Sequence, residues 1–165
     1  MFPLGYERLL HIRFTSSQGK VNIISAYAPT LYAPDDEKDI FFQAMENTVT
    51  SIPKTEHMYI LGDLNSRVGS DNDGWPKCLG PHGVGTINDN GQRLLEFCSV
   101  HCLCVTNTYF SGKDSHKVSW CHPRSKRWHQ LDLCITRRSD LKFVLHTRSY
   151  HSKTVVQITH WWSAR

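Results

Sequence analysis

Short apolar runs separated by polar turns make up much of the chain. Residues 7–14 and 20–27 are predicted strands, because both are rich in β-branched and other apolar residues and the polar turn SSQG joins them. A third apolar run, 58–61, breaks at Gly62 and predicts a buried strand. The remaining predicted strands are 103–106, 117–121, 130–136 and Lys142 to Tyr150.

Two segments have helical periodicity instead. The first opens at Pro34-Asp35-Asp36, where acidic residues suit the helix dipole. Its apolar positions share one face: Ile40, Phe41, Ala44, Met45 and Val49. The second follows Asn88, a good N-cap residue, and carries Leu94, Leu95, Phe97 and Cys98. Strands interleaved with two helices predict an α/β domain in which helices pack outside sheets.

Composition narrows the classes of protein that fit. The chain has 165 residues and a net charge of +4, and no segment approaches the ~20 apolar residues needed to span a bilayer. The first residues do not form a secretory signal, so a nuclear or cytoplasmic protein is expected rather than a secreted one. Basic residues concentrate between Lys113 and Arg148, which fits a polyanionic partner and a solvated surface about equally well.

The six cysteines are predicted to be reduced thiols. Cys98, Cys102 and Cys104 surround His101, but their spacing is not that of paired CxxC ligands. Cys98 and Cys102 fall on an apolar helix that runs into a strand. Buried structural thiols are therefore favoured over a zinc site.

The strongest chemical signal is the segment Gly62-Asp63-Leu64-Asn65, directly after a strand. There Asp63 could deprotonate a water molecule and Asn65 could donate to a phosphate oxygen. Taken alone, the tetrapeptide is more typical of a turn in which Asp and Asn bond their own backbone. Tyr27, Ser119 and Asp132 also lie near strands, and their convergence with Asp63 on one rim would suit phosphoryl transfer.

Several ordered motifs resemble the endonuclease domain of non-LTR retrotransposons, and within it the craniofacial development protein 2-like group. They are NIISAYAPT, YILGDLNSRVG, NDNGQRLLEFC, VSWCHPRSKRWHQLDLCITRR and VLHTRSYHS. These motifs cover roughly residues 8–152. The family belongs to the endonuclease/exonuclease/phosphatase superfamily, so the resemblance implies a four-layer α/β sandwich and Mg²⁺-assisted hydrolysis of DNA.

The resemblance also implies roles for individual residues. Tyr27 matches an active-site tyrosine, Asp63 the aspartate that activates water, and Asn65 a phosphate-binding neighbour. Ser119 matches a phosphate contact, and Asp132 an aspartate that orients a catalytic histidine. The expected DNA-backbone contacts are Arg124, Lys126, Arg127, Arg137 and Arg138. Trp120, Trp128 and Trp75 could stack on bases, but for Trp120 burial is expected.

Parts of the family pattern are absent from this sequence. Family members begin with a strand carrying an Asn and a second element carrying a metal-binding Glu, and neither precedes residue 8 here. Their Asp-His motif near the C-terminus is missing too, since no Asp precedes His160. We therefore expect a partial domain at 1–152 and an aberrant tail at 153–165. A shift of the reading frame by one nucleotide would convert the codons of this tail into a segment that contains Asp-His.

Three functions remain open on this basis. The first is a DNA endonuclease whose activity in this chain is weak or lost. The second is an inactive remnant that binds nucleic acid or protein, and the third, least favoured, is a phosphatase of the same superfamily. The expected partner is DNA, with neither a membrane nor an obligate protein partner.

Overall fold

The computed structural model describes residues 7–16, 19–150 and 153–158. Its helices and strands follow the chain in the order β1 (Leu9–Ser16), β2 (Gly19–Tyr27), α1 (Asp35–Ser51), β3 (His57–Asp63), α2 (Asp89–Val100), β4 (Leu103–Val105), β5 (Trp120–Cys121), β6 (Trp128–His129), β7 (Asp132–Arg137), β8 (Val144–Tyr150) and β9 (Lys153–Ile158). Short 3-10 turns occupy Thr106–Thr108, Asp114–His116 and Arg138–Phe143.

A five-stranded mixed sheet, in the order β1-β2-β3-β7-β4, forms the centre of the fold. Strands β1 and β2 form the predicted antiparallel hairpin, and β3 lies parallel to β2. The parallel pair needs a crossover, which α1 supplies. Strand β7 then inserts antiparallel between β3 and β4, so residues distant in sequence meet at one edge of the sheet.

Both helices pack on the same face of this sheet. Phe41 and Met45 of α1 and Leu94 of α2 share one buried cluster with Ile24 and Ile60 of the sheet. Asn88 caps α2 as predicted, because its side chain accepts a hydrogen bond from Gly91 N–H. Ile40, predicted on the apolar face of α1, is instead more than half exposed.

The opposite face of the sheet carries a second, two-stranded sheet of β8 and β9. Val144 of β8 packs there against Val21 and Tyr59, with Ile23 and Val156 at the margin. The described residues thus stack a helical layer, a five-stranded sheet and a two-stranded sheet, which confirms the α/β class.

Two further local predictions are wrong. The strand predicted at 117–121 is confined to Trp120–Cys121. Cys102, predicted to be buried, is exposed because α2 ends at Val100 and Cys102 adopts a positive φ of 55° in the turn to β4. Cys98 is fully buried as predicted, and all six cysteines are free thiols.

Part of the predicted aberrant tail forms regular structure. Residues Lys153–Ile158 pair antiparallel with β8 along its length. His160 lies outside the described residues, and the frame-shifted origin of the tail stays a prediction. Among the helices that the structure describes, none is both long and apolar enough to cross a bilayer.

Candidate nuclease-type site

Three neighbouring strands bring candidate residues to one edge of the central sheet. Tyr27 ends β2 and pairs with Asp63, which ends the parallel strand β3. Asp63 in turn pairs with Asp132, the first residue of the antiparallel strand β7. Side chains of directly paired residues project to the same side of a sheet. The phenol and both carboxylates are therefore placed side by side.

Gly62, directly before Asp63, allows β3 to lie close to the backbone of β2. Gly62 has a φ of 147°, in the region that favours glycine, and a Cβ atom there would lie 1.9 Å from the carbonyl oxygen of Ala26. Beyond it, Ala28 N–H donates to Asp63 O at 2.9 Å and Leu64 N–H donates to Leu131 O at 3.0 Å. These bonds hold the ends of β2, β3 and β7 together.

Asp63 is only partly accessible to solvent. Burial raises the pKa of its carboxyl group above the ordinary value, and the negative charge of Asp132 acts in the same direction. A hydrogen bond of 2.9 Å from Asn65 N–H to Asp63 Oδ1 opposes the rise. A desolvated carboxylate of raised pKa is a better proton acceptor than one in water.

Asn65 stabilises the turn that follows Asp63. It adopts a positive φ of 46°, and its Nδ2 donates to Ala28 O at 2.8 Å. Its backbone carbonyl accepts a bond of 3.1 Å from Asn90 Nδ2, which also donates to Pro29 O at 3.2 Å. One N–H of the Asn65 amide therefore fixes the end of the strand. The predicted phosphate contact would have to come from the other N–H of the same amide.

Ser119 lies just beneath the edge of the sheet. Its side chain is buried, and its Oγ accepts hydrogen bonds of 3.2 Å from the backbone N–H groups of Leu131 and Asp132. Asn107, which sequence reasoning missed, donates to Asp132 O at 3.2 Å and accepts from Cys134 N–H at 2.7 Å. Both side chains fix the start of β7 and hence the position of Asp132.

A cleft of about 480 Å³ opens over Asp63 and Asn65. Besides Tyr27 its lining includes three side chains that sequence reasoning did not single out: Arg67, His122 and His129. The only sequence signal for them is proximity, since Arg67 follows the Asp63 motif and His129 precedes the Asp132 motif. A guanidinium and two imidazoles thus share the cleft with the Asp63 carboxylate.

The two histidines differ in their environment. Burial lowers the pKa of His129, and Arg67, His122 and Arg127 lower it further, which favours the neutral form of the imidazole. His122 Nδ1 accepts hydrogen bonds from the N–H groups of Arg124 and Ser125, at 3.3 and 3.1 Å. That places the proton of neutral His122 on Nε2.

Trp120 lines the same cleft and is 41% exposed, so the expectation of burial is wrong. Its ring stacks on His129 with centroids 6.0 Å apart and planes inclined by 27°, and meets the edge of His122 at 5.5 Å. The reason is that, among the residues that the structure describes, β5 pairs with β6 in a separate two-stranded hairpin and not with the central sheet. Trp75 by contrast packs against the main core.

The predicted DNA contacts separate into two groups. Arg124, Lys126 and Arg127 lie exposed in the turn between β5 and β6, beside the cleft. Arg137 and Arg138 lie at the opposite end of β7 from Asp132. Arg138 donates there to the carbonyls of Pro76 and Lys77 and to Tyr109 Oη, so the structure does not bring this pair to the cleft.

The donor set at the edge of the sheet is suited to a hard divalent cation. Mg²⁺ commonly binds one or two carboxylates together with substrate phosphates and water, and Asp63 and Asp132 supply two carboxylates. Within residues 7–16, 19–150 and 153–158, no group of three or more His, Cys, Asp or Glu side chains is placed to hold a metal ion. The described residues thus offer two neighbouring carboxylates to such a cation.

The layered fold with a cleft at the strand ends is that of an endonuclease/exonuclease/phosphatase-type domain, and the chain belongs to the craniofacial development protein 2 family of such domains. No protein-family model matches it. Over 135 residues, 82% of the chain, it is 33% identical to craniofacial development protein 2 of Bos taurus and 30% identical to that of Tragulus javanicus. The match spans only 22% and 23% of those relatives.

Solved structures share the fold at low sequence identity. The endonuclease domain of TRAS1, a telomere-specific non-LTR retrotransposon, superposes with a TM-score of 0.59 at 10% identity, over 89% of this chain and 57% of that one. The 3'-5' exonuclease NExo from Neisseria meningitidis gives 0.53 at 17% identity, over 86% and 56%. NExo described as a 3' phosphatase bound to a product DNA hairpin gives 0.56 at 16%, over 92% and 64%.

Proposed function

We propose that the cleft at the ends of β2, β3 and β7 binds DNA phosphodiesters and supports their metal-dependent hydrolysis. The observation that carries the proposal is the cross-strand pair of Asp63 and Asp132 at the edge of the sheet, beside a cleft that Asp63 and Arg67 both line. Carboxylates suit a cation and a water molecule, while the guanidinium suits a phosphate oxygen. Both requirements of phosphodiester hydrolysis are met within one cleft.

Asp63 is the proposed proton acceptor for the attacking water. Its partial burial and raised pKa make it more basic than a solvated carboxylate. Tyr27, more than half exposed at the end of the neighbouring strand, presents its hydroxyl group to the phosphate. Asn65 assists from the turn, with the part of its amide that does not donate to Ala28.

Asp132 and Ser119 act together at the start of β7. Ser119 Oγ accepts from Asp132 N–H at 3.2 Å, which holds the second carboxylate beside the first. Asp132 would help to hold Mg²⁺, which supplies charge neutralisation for the phosphate when bound, while Asp63 remains the proton acceptor. The resemblance assigned Ser119 a direct phosphate contact, but its burial and its bonds to β7 favour the positioning role.

DNA would lie across the cleft and the β5–β6 hairpin. Arg124, Lys126 and Arg127 provide backbone contacts from the exposed turn, since phosphate contacts position a duplex without reading its sequence. The exposed ring of Trp120 provides a surface for base stacking, with His129 stacked against it. Arg137 and Arg138 have no part in this proposal.

A second candidate function is DNA binding without turnover. It is favoured by one observation, namely that the described residues offer two carboxylates at the site and no larger group of metal-binding side chains. Losing one preorganised catalytic group typically lowers a rate by about 10²–10³. The cleft and the basic hairpin would still bind DNA in that case.

Nicking of supercoiled plasmid by the purified chain with Mg²⁺ distinguishes these functions. Hydrolysis predicts nicking that Asp63→Ala and EDTA both abolish, while the control Asp73→Ala, at an exposed loop position, retains it. Anisotropy of a labelled DNA duplex should be measured in parallel. Binding without nicking would support the second candidate, and neither binding nor nicking by folded protein would refute both.

A further inference from the structure

A second cleft, of about 420 Å³, lies at the opposite end of β7 from Asp132. Its lining comes from the ends of α1 and α2 and from the turn that follows β7. The six residues of β7 span about 17 Å at the usual rise of a strand. A short segment bound in this second cleft would therefore leave the cleft over Asp63 free.

Basic side chains line this second cleft, which is called the basic cleft below. They are Lys54, His101, Arg137 and Arg138. His101 Nε2 lies 3.7 Å from Glu46 Oε1. Within residues 7–16, 19–150 and 153–158, by contrast, neither Lys54 nor either arginine forms an ion pair. The basic cleft thus carries three positive charges with which no acidic side chain of the described chain pairs.

The ends of both helices also contribute negative partial charge, which would by itself oppose an anionic ligand. Arg137 offsets it at α1, because both of its Nη atoms donate to carbonyls that follow that helix. After α2, Arg138 N–H donates to Cys102 O at 2.9 Å. The Arg138 guanidinium donates through Nη1 alone, and Lys54 Nζ has no hydrogen bond among the described residues. Lys54 and the Nε and Nη2 groups of Arg138 are therefore available to a ligand.

An apolar wall lies beside these cations. Val100, the last residue of α2, lines the basic cleft and is 75% exposed. Val49 and Ile52, at the end of α1, line the same cleft and are buried. Covering an exposed valine with another apolar side chain is favourable. A bare inorganic anion would leave Val100 uncovered, and a nucleic-acid backbone presents phosphates without aliphatic side chains. The lining therefore favours a ligand with both carboxylates and an apolar side chain.

We infer that the basic cleft binds an acidic peptide segment of a partner protein, whose carboxylates pair with Lys54 and Arg138 and whose apolar side chain covers Val100. A guanidinium can bind a carboxylate through two parallel hydrogen bonds, and Nε and Nη2 of Arg138 form one such edge. Complementary charge also guides the partner to the cleft and fixes its orientation. The inference does not depend on DNA hydrolysis, because the basic cleft and the cleft over Asp63 lie at different ends of β7.

Three substitutions at exposed positions test the inference without disturbing the fold. Lys54→Glu reverses a charge in the basic cleft, whereas Lys113→Glu makes the same change at an exposed position outside its lining. Val100→Ser removes the apolar contact and keeps the charges. Because all three side chains are exposed, none of these variants should shift the Tm by more than about 2 °C.

The probe is a short synthetic peptide of repeated Asp-Glu-Leu units, titrated into the chain labelled with nitrogen-15. We expect the backbone amide signals to shift at the ends of α1 and α2 and in the turn Arg138–Phe143. Lys54→Glu should raise the Kd about three- to tenfold, as expected for the reversal of one exposed charge. Val100→Ser should weaken binding by a similar factor, and Lys113→Glu should leave the Kd unchanged.

Two competing ligands complete the experiment. A peptide of repeated Asn-Gln-Leu units, which has the same shape without the charges, should not bind. The inference would be overturned if the acidic peptide caused no shifts at the basic cleft, or if the uncharged peptide bound equally well. A single-stranded DNA oligonucleotide that displaced the acidic peptide at lower concentration would assign the basic cleft to nucleic acid, and would likewise overturn it.

Discussion

Arg137 provides the sharpest test of the arginine assignments. Its Nη2 donates to Ile52 O at 2.8 Å, and its Nη1 donates to Pro53 O at 3.1 Å and to Glu56 O. These carbonyls follow the C-terminal end of α1, a helix with no basic residue in its last turn. A cation beside a helix C-terminus offsets the negative end of the dipole, and Arg137 also satisfies the carbonyls of the loop that follows the helix.

Arg137→Gln should therefore cost stability and leave DNA affinity unchanged. Hydrogen bonds to charged groups contribute about 1.5–3 kcal/mol each when buried, but Arg137 is partly exposed, so we expect a total of about 2 kcal/mol for the three bonds. In a domain of this size that corresponds to a Tm lower by about 4–8 °C. Thermal and urea unfolding monitored by circular dichroism would measure it.

Arg127→Gln is the matched control, because Arg127 lies in the exposed turn beside the cleft. Its Tm should be unchanged, while the slope of log affinity for DNA against log salt concentration should fall by about 0.9, as expected for one lost phosphate contact. The reasoning would be refuted if Arg137→Gln reduced that slope as much as Arg127→Gln and left the Tm intact. The sequence-based assignment of Arg137 to DNA would then be correct.

Three further predictions concern the site and the core. Gly62→Ala should destabilise the fold by about 3 kcal/mol or more, because the new Cβ meets Ala26 O and φ is 147°. The control Gly112→Ala should be near neutral, because a Cβ atom there has nothing within 4 Å. Equal urea unfolding midpoints for the two variants would contradict the prediction. Asp63→Asn should raise the Tm at pH 7, since burial raises the pKa of Asp63 and its ionised form therefore destabilises the folded state. This gain in Tm should vanish at pH values below 3.8, the ordinary pKa of an aspartate, because the carboxyl group is then protonated in both the folded and the unfolded state. A gain in Tm that did not depend on pH would argue against the ionised carboxylate as its cause. Maleimide should label the exposed Cys102 before the buried Cys134, because burial raises the pKa of the Cys134 thiol to about 12. Peptide mass spectrometry of briefly labelled protein would measure the order, and earlier labelling of Cys134 would contradict the prediction.

The local sequence pattern predicted most of the helices and strands and the part of the site around Asp63. The β1–β2 hairpin, the N-cap at Asn88 and the centre of β3 were predictable, because turn residues, capping and apolar periodicity act over a few residues. The predicted break at Gly62 was wrong, since β3 continues through Gly62 to Asp63. The α/β class followed from the order of those elements. Burial of Cys98 also followed, since it lies within the periodic part of α2.

Tertiary structure decided which of these elements meet. The insertion of β7 between β3 and β4 sets Asp132 beside Asp63, and it depends on hydrogen bonds between strands that are remote in sequence. The same insertion directs Arg137 toward the end of α1 and away from the cleft. Exposure of Trp120 likewise depends on which layer covers a strand, and periodicity within a strand carries no information about the neighbour that packs on it.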